Sequence, residues 1–326
     1  MKIYLFLLSI FFTAAAYGGN YADREEVKAF VKELAASESF NENELLSVFA
    51  HAQYKQKIID AISRPAERVL NWSRYQDIFL TERRVAGGIA FMRDHREALE
   101  AAERKYGVPP EIVAAIIGVE TMYGSITGGY RVLDALSTLA FDYPPRSSFF
   151  RSELKQFILL VREERQMITN LTGSYAGAMG LGQFIPSSYR AYAVDFDGDG
   201  IRDIWNNPTD AIGSVANYLS RHGWLRDEKI TLRVEAEGLP QNIFNASLKP
   251  SKSIGELVSL GLHEIPLQSD EMVSPMRLVG KSGDEFWLGL TNFYVITRYN
   301  HSRLYAMAVF QLSEDLRSGM LGLVSR

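Results

Sequence analysis

At 326 residues, 47% hydrophobic and 23% charged, the chain has the composition of a globular protein with room for two or three domains. A formal net charge of −4, with no run of Lys or Arg, excludes general attraction to nucleic acid. The absence of cysteine excludes thiolate zinc sites, cysteine nucleophiles and a lipid-modified cysteine. A chain of this size can build its core without disulfides, even when exported.

In chain order, residues 1–18 read as a secretory signal peptide. Lys2 precedes an apolar run that is too short to span a bilayer, and the small residues Ala14 to Ala16 and Gly18 offer cleavage points. A buried N-terminal helix is the alternative. Residues 19–107 are expected to form a helical domain, joined by a C-terminal helix within 301–326. Val27, Phe30, Val31 and Leu34 recur at helical spacing, and Asn41 opens a second run through Leu45, Val48 and Phe49. Thr81 and Glu82 start a long periodic stretch reaching Tyr106.

Pro109 and Pro110 then start a helix that Gly124 is expected to stop. Apart from Glu111 at its start, the residues before Glu120 are apolar or glycine, so the helix is expected to be buried on most faces. Ile116 and Ile117 share the face of Glu120. Desolvation and the negative end of the helix both predict a raised pKa for that carboxyl, which suits a general acid. Further on, Gly173, Gly177, Gly180 and Gly182 imply close backbone approach or positive φ, without the Lys of a phosphate loop. Ser174 and Gln183 in that stretch are candidate hydrogen-bond donors to a polar ligand, with a tight-packing loop as the plainer reading. Late in the chain, Thr231–Ala236 alternates like a strand, Met276–Lys281 and Glu285–Leu290 flank a turn as a hairpin, and Ile254–Leu260 reads as a short helix. A last helix runs from Ser302 to about Leu316. The expected fold class is α+β, mainly α, with strands segregated late: a core domain over 108–228 and a small β-rich domain over 229–300.

The blocks around Tyr106–Val113, Ile117–Thr121, Ala176–Gly180, Ala211–Tyr218 and Asn292–Asn300, in that order and spacing, resemble the lytic murein transglycosylase B family. The resemblance implies a lysozyme-like core, cleavage of bacterial peptidoglycan, and Glu120 as the catalytic residue. It also implies that Ser174, Gln183 and Tyr218 line the sugar groove, together with Tyr75, Tyr299 and Asn300. Ordinary glycosidases use two carboxyl groups. In this family one glutamate is expected to protonate the bond between N-acetylmuramic acid and N-acetylglucosamine. It then draws the proton from the C6 hydroxyl, leaving a 1,6-anhydro end. Known members include lipoproteins; with no cysteine to acylate, a soluble, monomeric, periplasmic enzyme is expected here.

Asp195, Asp197, Asp199, the Ile201 carbonyl and Asp203 match positions 1, 3, 5, 7 and 9 of an EF-hand loop spanning 195–206, with Gly200 at position 6. Asn206 replaces the bidentate glutamate of position 12, and Asp210 is the expected substitute, as in the family's extended loop. Calcium is the expected occupant, in a structural role, with sodium as its alternative; no cofactor is expected for the chemistry. A solvated acidic turn is the plain alternative, with Asp210 merely serving the first turn of the next helix. The five histidines lack zinc spacing, and no serine sits in a Gly-x-Ser-x-Gly elbow. Arg146 and Arg151 are candidates to pair with stem-peptide carboxylates. Two rivals remain open from the residues: a hydrolytic muramidase using Asp134 or Asp142 as its second carboxylate, and a non-catalytic peptidoglycan-binding protein.

Overall fold

The computed structural model describes residues 20–64, 70–236, 238–263 and 265–322. The signal-peptide reading of 1–18, and residues 323–326 of the segment expected to hold the C-terminal helix, therefore lie outside the described residues. The chain divides into two compact units at Tyr54 and Lys55. The smaller contains α1 (Glu25–Glu38) and α2 (Glu42–Ala50), which pack together. Asn41 caps α2 as its spacing predicts, its side chain accepting from the amides of Asn43 and Glu44 at 2.9 and 3.2 Å.

The larger unit begins with α3 (Gln56–Ile62), α4 (Trp72–Phe79), α5 (Glu82–Asp94), α6 (Arg96–Tyr106) and α7 (Pro110–Thr121). The single long helix expected from Thr81 to Tyr106 is interrupted. His95 leaves helical geometry at φ −116° and ψ 27°, with its ring 4.5 Å from that of Phe91. The expected domain boundary at 107 falls inside this unit, where α6 packs on α7. Then come β1 (Tyr130–Arg131), α8 (Val132–Asp142), α9 (Ser147–Glu163), β2 (Thr172–Gly173), α10 (Pro186–Tyr192) and α11 (Pro208–Arg221). The late region holds β3 (Thr231–Val234), β4 (Lys252–Ser253), α12 (Ile254–Ser259), β5 (Met272–Gly280), β6 (Gly283–Gly289), α13 (Thr291–Tyr299) and α14 (Arg303–Met320). The fold is α+β and mainly α.

α7 is the central helix. Every residue from Ile112 to Val119 is buried, and α5, α6, α11 and α14 pack around it. Each buried Ile or Val there contributes about 1.5–3 kcal/mol relative to exposure. The late strands form an antiparallel sheet in the order β3-β6-β5-β4, with Thr231 opposite Gly289 and Met276 opposite Trp287. One face covers a separate cluster that includes Leu239, Phe244, Leu257, Val273 and Leu288.

The end of α7 is shaped by a ring. Met122 and Tyr123 both adopt left-handed φ, 50° and 57°, which stops the helix before Gly124 and turns the Tyr123 side chain back. That ring occupies a slot made by missing side chains: a Cβ at Gly118 would lie 2.5 Å from the Tyr123 Oη, and one at Gly88 would lie 2.3 Å from it. Gly118→Ala gains about 1 kcal/mol of helix propensity, but overpacking a full core costs about 1–3 kcal/mol. Displacing Tyr123 also disturbs a strained turn. Net destabilisation is expected, read as a lower urea midpoint with an unchanged slope.

Candidate active site and acidic loop

Glu120 lies in the last turn of α7 and is half-buried. Its Oε1 accepts a hydrogen bond of 2.7 Å from the phenol of Tyr305, a residue of α14 that is 2% exposed. Burial, and then the charge of Glu120, push the Tyr305 phenol well above its ordinary pKa, so it remains a donor at any working pH. Tyr75 on α4 adds its own field to that phenol, placing it in the same cluster. Tyr299 stacks against Tyr305 at 6.5 Å between centroids, and its Oη donates to the Gly182 carbonyl at 2.5 Å. The edge of Tyr218 meets Tyr299 at 4.7 Å; its own Oη donates to Arg298 O at 2.6 Å, and burial pushes that phenol up to about 12. Phe184 packs on both Tyr218 and Tyr299.

The glycine-rich segment is fastened to the end of α7. The Thr121 hydroxyl donates to Leu181 O at 2.9 Å and accepts from Gly124 N at 3.0 Å. Gln183 has a left-handed φ of 52°, and its Nε2 donates to Thr127 O and Gly180 O at 3.1 and 2.9 Å. Both of its amide hydrogens are thus engaged, so the side chain offers a ligand its Oε1 acceptor rather than the expected donor. Ser174 Oγ accepts from the amides of Ala176 and Ala178 at 3.3 and 3.1 Å, leaving its hydroxyl proton to donate. Gly128 allows close approach here, since a Cβ on it would fall 2.2 Å from Gly173 O. Asn300 follows Tyr299 as the cap of α13, and its side chain makes no hydrogen bond among the described residues.

Through these bonds the structure links Glu120, Tyr299, Tyr305 and Gln183 around one helix end, with Tyr75 and Tyr218 behind. Sequence reasoning missed Tyr305. It lies 185 residues from Glu120 on an amphipathic helix, where its spacing reads simply as core. The other carboxylates considered differ in setting. Asp134 is 1% exposed and held by Arg131 at 2.8 and 2.9 Å, while Asp142 ends the same helix. Arg146 lies over Phe149, and Arg151 donates to Ala140 O. A cavity of about 360 Å³ at the opposite end of α7, lined by Met92, Leu99, Pro110 and Met320, contains none of the candidate residues.

In the acidic loop, carboxylate oxygens of Asp195, Asp197 and Asp210 lie within 4.8 Å of one another. Asp210, at the start of α11, is fully buried and has no cationic partner among the described residues. Its oxygens accept from the amides of Phe196 and Asp203, at 2.7 and 2.8 Å, in the loop rather than in the first turn of α11. Burial raises its pKa, and the neighbouring Asp197 and Asp195 raise it further. A hydrogen bond from Asn207 at 2.7 Å holds Asp197 below the usual carboxylate range. Three hard oxygen donors converging on a buried, uncompensated charge fit a calcium-sized cation. Asp199 stands apart from this trio and accepts from Ile201 N at 2.8 Å.

Comparison with known proteins gives the chain a family. The transglycosylase SLT domain family matches residues 22–314. Membrane-bound lytic murein transglycosylase B of Escherichia coli (strain K12) is 40% identical over 95% of this chain and 87% of its own. The soluble lytic transglycosylase SltB1 from Pseudomonas aeruginosa superposes with a TM-score of 0.87 at 51% identity, covering 91% of this chain and 99% of that one. The Escherichia coli lytic transglycosylase Slt35 in complex with calcium gives a TM-score of 0.85 at 41% identity, over 93% of this chain and 96% of its own. The chain therefore belongs to the transglycosylase SLT domain family, and it is a peptidoglycan lytic transglycosylase with a lysozyme-like core.

Proposed function

We propose that Glu120 acts first as acid and then as base in cleaving the β-1,4 bond between N-acetylmuramic acid and N-acetylglucosamine. The observation that carries this reading is the buried Tyr305 phenol on Glu120 Oε1, which fixes the orientation of that carboxyl. Oε1 accepts from Tyr305; in this reading Oε2 carries the acidic proton and delivers it to the glycosidic oxygen. As the C1–O4 bond breaks, the carbonyl oxygen of the 2-acetamido group bonds to C1 from the opposite face. Glu120, now a carboxylate, takes the proton of the C6 hydroxyl. O6 then displaces the acetamido oxygen from C1, closing the 1,6-anhydro ring and restoring the acid. No water enters. The paired state of Asp134 argues against its serving as the second carboxylate of a hydrolase.

Mass spectrometry of muropeptides released from purified peptidoglycan tests this reading. Products ending in 1,6-anhydromuramic acid are expected; products one water heavier would overturn it. Tyr305→Phe removes a hydrogen bond to a charged group, worth about 1.5–3 kcal/mol. A loss of about 10–100-fold in kcat is expected, with little change in KM.

In this reading Ser174, Gln183 and Asn300 bind the polar edges of the sugars, and Tyr75, Tyr218 and Tyr299 shape the wall. Asp195, Asp197 and Asp210, with Asp199 and the Ile201 carbonyl, hold a structural calcium ion. The calcium-bound Slt35 relative supports that assignment. The protein acts on peptidoglycan outside the cytoplasm. Among the described residues no helix is long and apolar enough to cross a membrane.

A further inference from the structure

Arg84, on α5, is 7% exposed and has no carboxylate partner among the described residues. Its guanidinium instead joins two backbone carbonyls. Nε donates to Gly118 O at 3.0 Å and Nη1 donates to Ile78 O at 2.5 Å, while Cζ lies 5.0 Å from the centre of the Phe79 ring. Both carbonyls belong to the last turns of helices, α7 and α4, whose ends carry partial negative charge; Gly118 O also accepts from Met122 N at 3.1 Å.

The two helices tied by this one side chain carry Glu120 and Tyr75. Gly118 lies two residues before Glu120, and Ile78 three residues after Tyr75. A buried cation without a counter-ion is costly, and an apolar side chain would fill a purely structural position at lower cost. The planar guanidinium can address two carbonyls in fixed directions, which a lysine ammonium or a neutral side chain cannot do in the same way.

We propose that Arg84 is a positioning residue for catalysis: it clamps the ends of α4 and α7 together and so sets the placement of the Glu120 carboxyl. It touches no substrate and acts through the Gly118 carbonyl. The inference rests on Glu120 being the acid. A displacement of about 1 Å in a catalytic group costs about 10²-fold in rate, so the effect belongs in kcat.

The test compares kcat and KM on soluble glycan strands for wild type, Arg84→Met and Arg84→Lys. Leu257→Ala, in the core beside the β-sheet, serves as a control that lowers stability elsewhere. All are assayed well below their melting midpoints. Arg84→Met is expected to lower kcat about 10–100-fold with KM within about twofold. Arg84→Lys should recover only part of the loss, and Leu257→Ala should leave kcat unchanged. A kcat within about threefold of wild type in folded Arg84→Met overturns the proposal. If Arg84→Met does not fold, Arg84→Lys decides: wild-type kcat, or failure of that variant to fold as well, assigns Arg84 to stability alone. Glu120→Gln is assayed in parallel. Full activity there would refute the role of Glu120 itself, whatever the Arg84 variants show.

Discussion

Replacing Glu120 with glutamine is expected to lower glycan cleavage by about 10²–10⁴-fold, toward the upper end because the acid and the base are lost together. Glutamine keeps the shape and, through its carbonyl oxygen, can still accept the Tyr305 hydrogen bond. The packing of α7 rests on Ile112 to Val119 and not on the carboxyl, so the circular dichroism spectrum and melting midpoint should match wild type. The rate of muropeptide release from purified sacculi measures the effect. A loss below about tenfold would move the acid role away from Glu120.

The second large effect concerns the acidic loop. An ion bound at 100 times its Kd stabilises the folded state by about 2.7 kcal/mol. With about 2.1 cal/mol/K of unfolding entropy per residue, that corresponds to about 4 °C in melting midpoint for a chain of this size. Chelation is therefore expected to lower the midpoint by that amount, and millimolar calcium to restore it. Asp210→Asn removes the buried charge that draws the ion while leaving an amide oxygen for one of the two backbone donors. It should lower the calcium-free midpoint modestly and abolish the response to calcium. A wild-type midpoint indifferent to chelator, calcium and sodium would leave the loop as an acidic turn. Recovery by sodium alone would make the occupant monovalent.

Much of this arrangement is legible in the residues. Pro109 and Pro110 mark the start of α7, and the apolar run before Glu120 marks its burial. Asn41 announces its helix by capping chemistry, and the hairpin of β5 and β6 by a turn between alternating runs. These signals are local, set by neighbours a few residues apart. What escapes is set by tertiary contact. Tyr305 reads as one more core position on α14, and nothing local marks Arg84, until the fold brings each to the end of α7. Ser174 and Gln183 read as donors to a ligand, whereas in the fold each spends hydrogen bonds on its own loop, set by the backbone turns around them.

Cleavage in heavy-oxygen water tests the central claim most directly. If Glu120 delivers its proton and then recovers one from the C6 hydroxyl, the muramic ends are released as unlabelled 1,6-anhydro sugars. Heavy oxygen at C1 of free reducing ends, formed at the same rate as the bond is cut, would show that water is the acceptor and would contradict the mechanism.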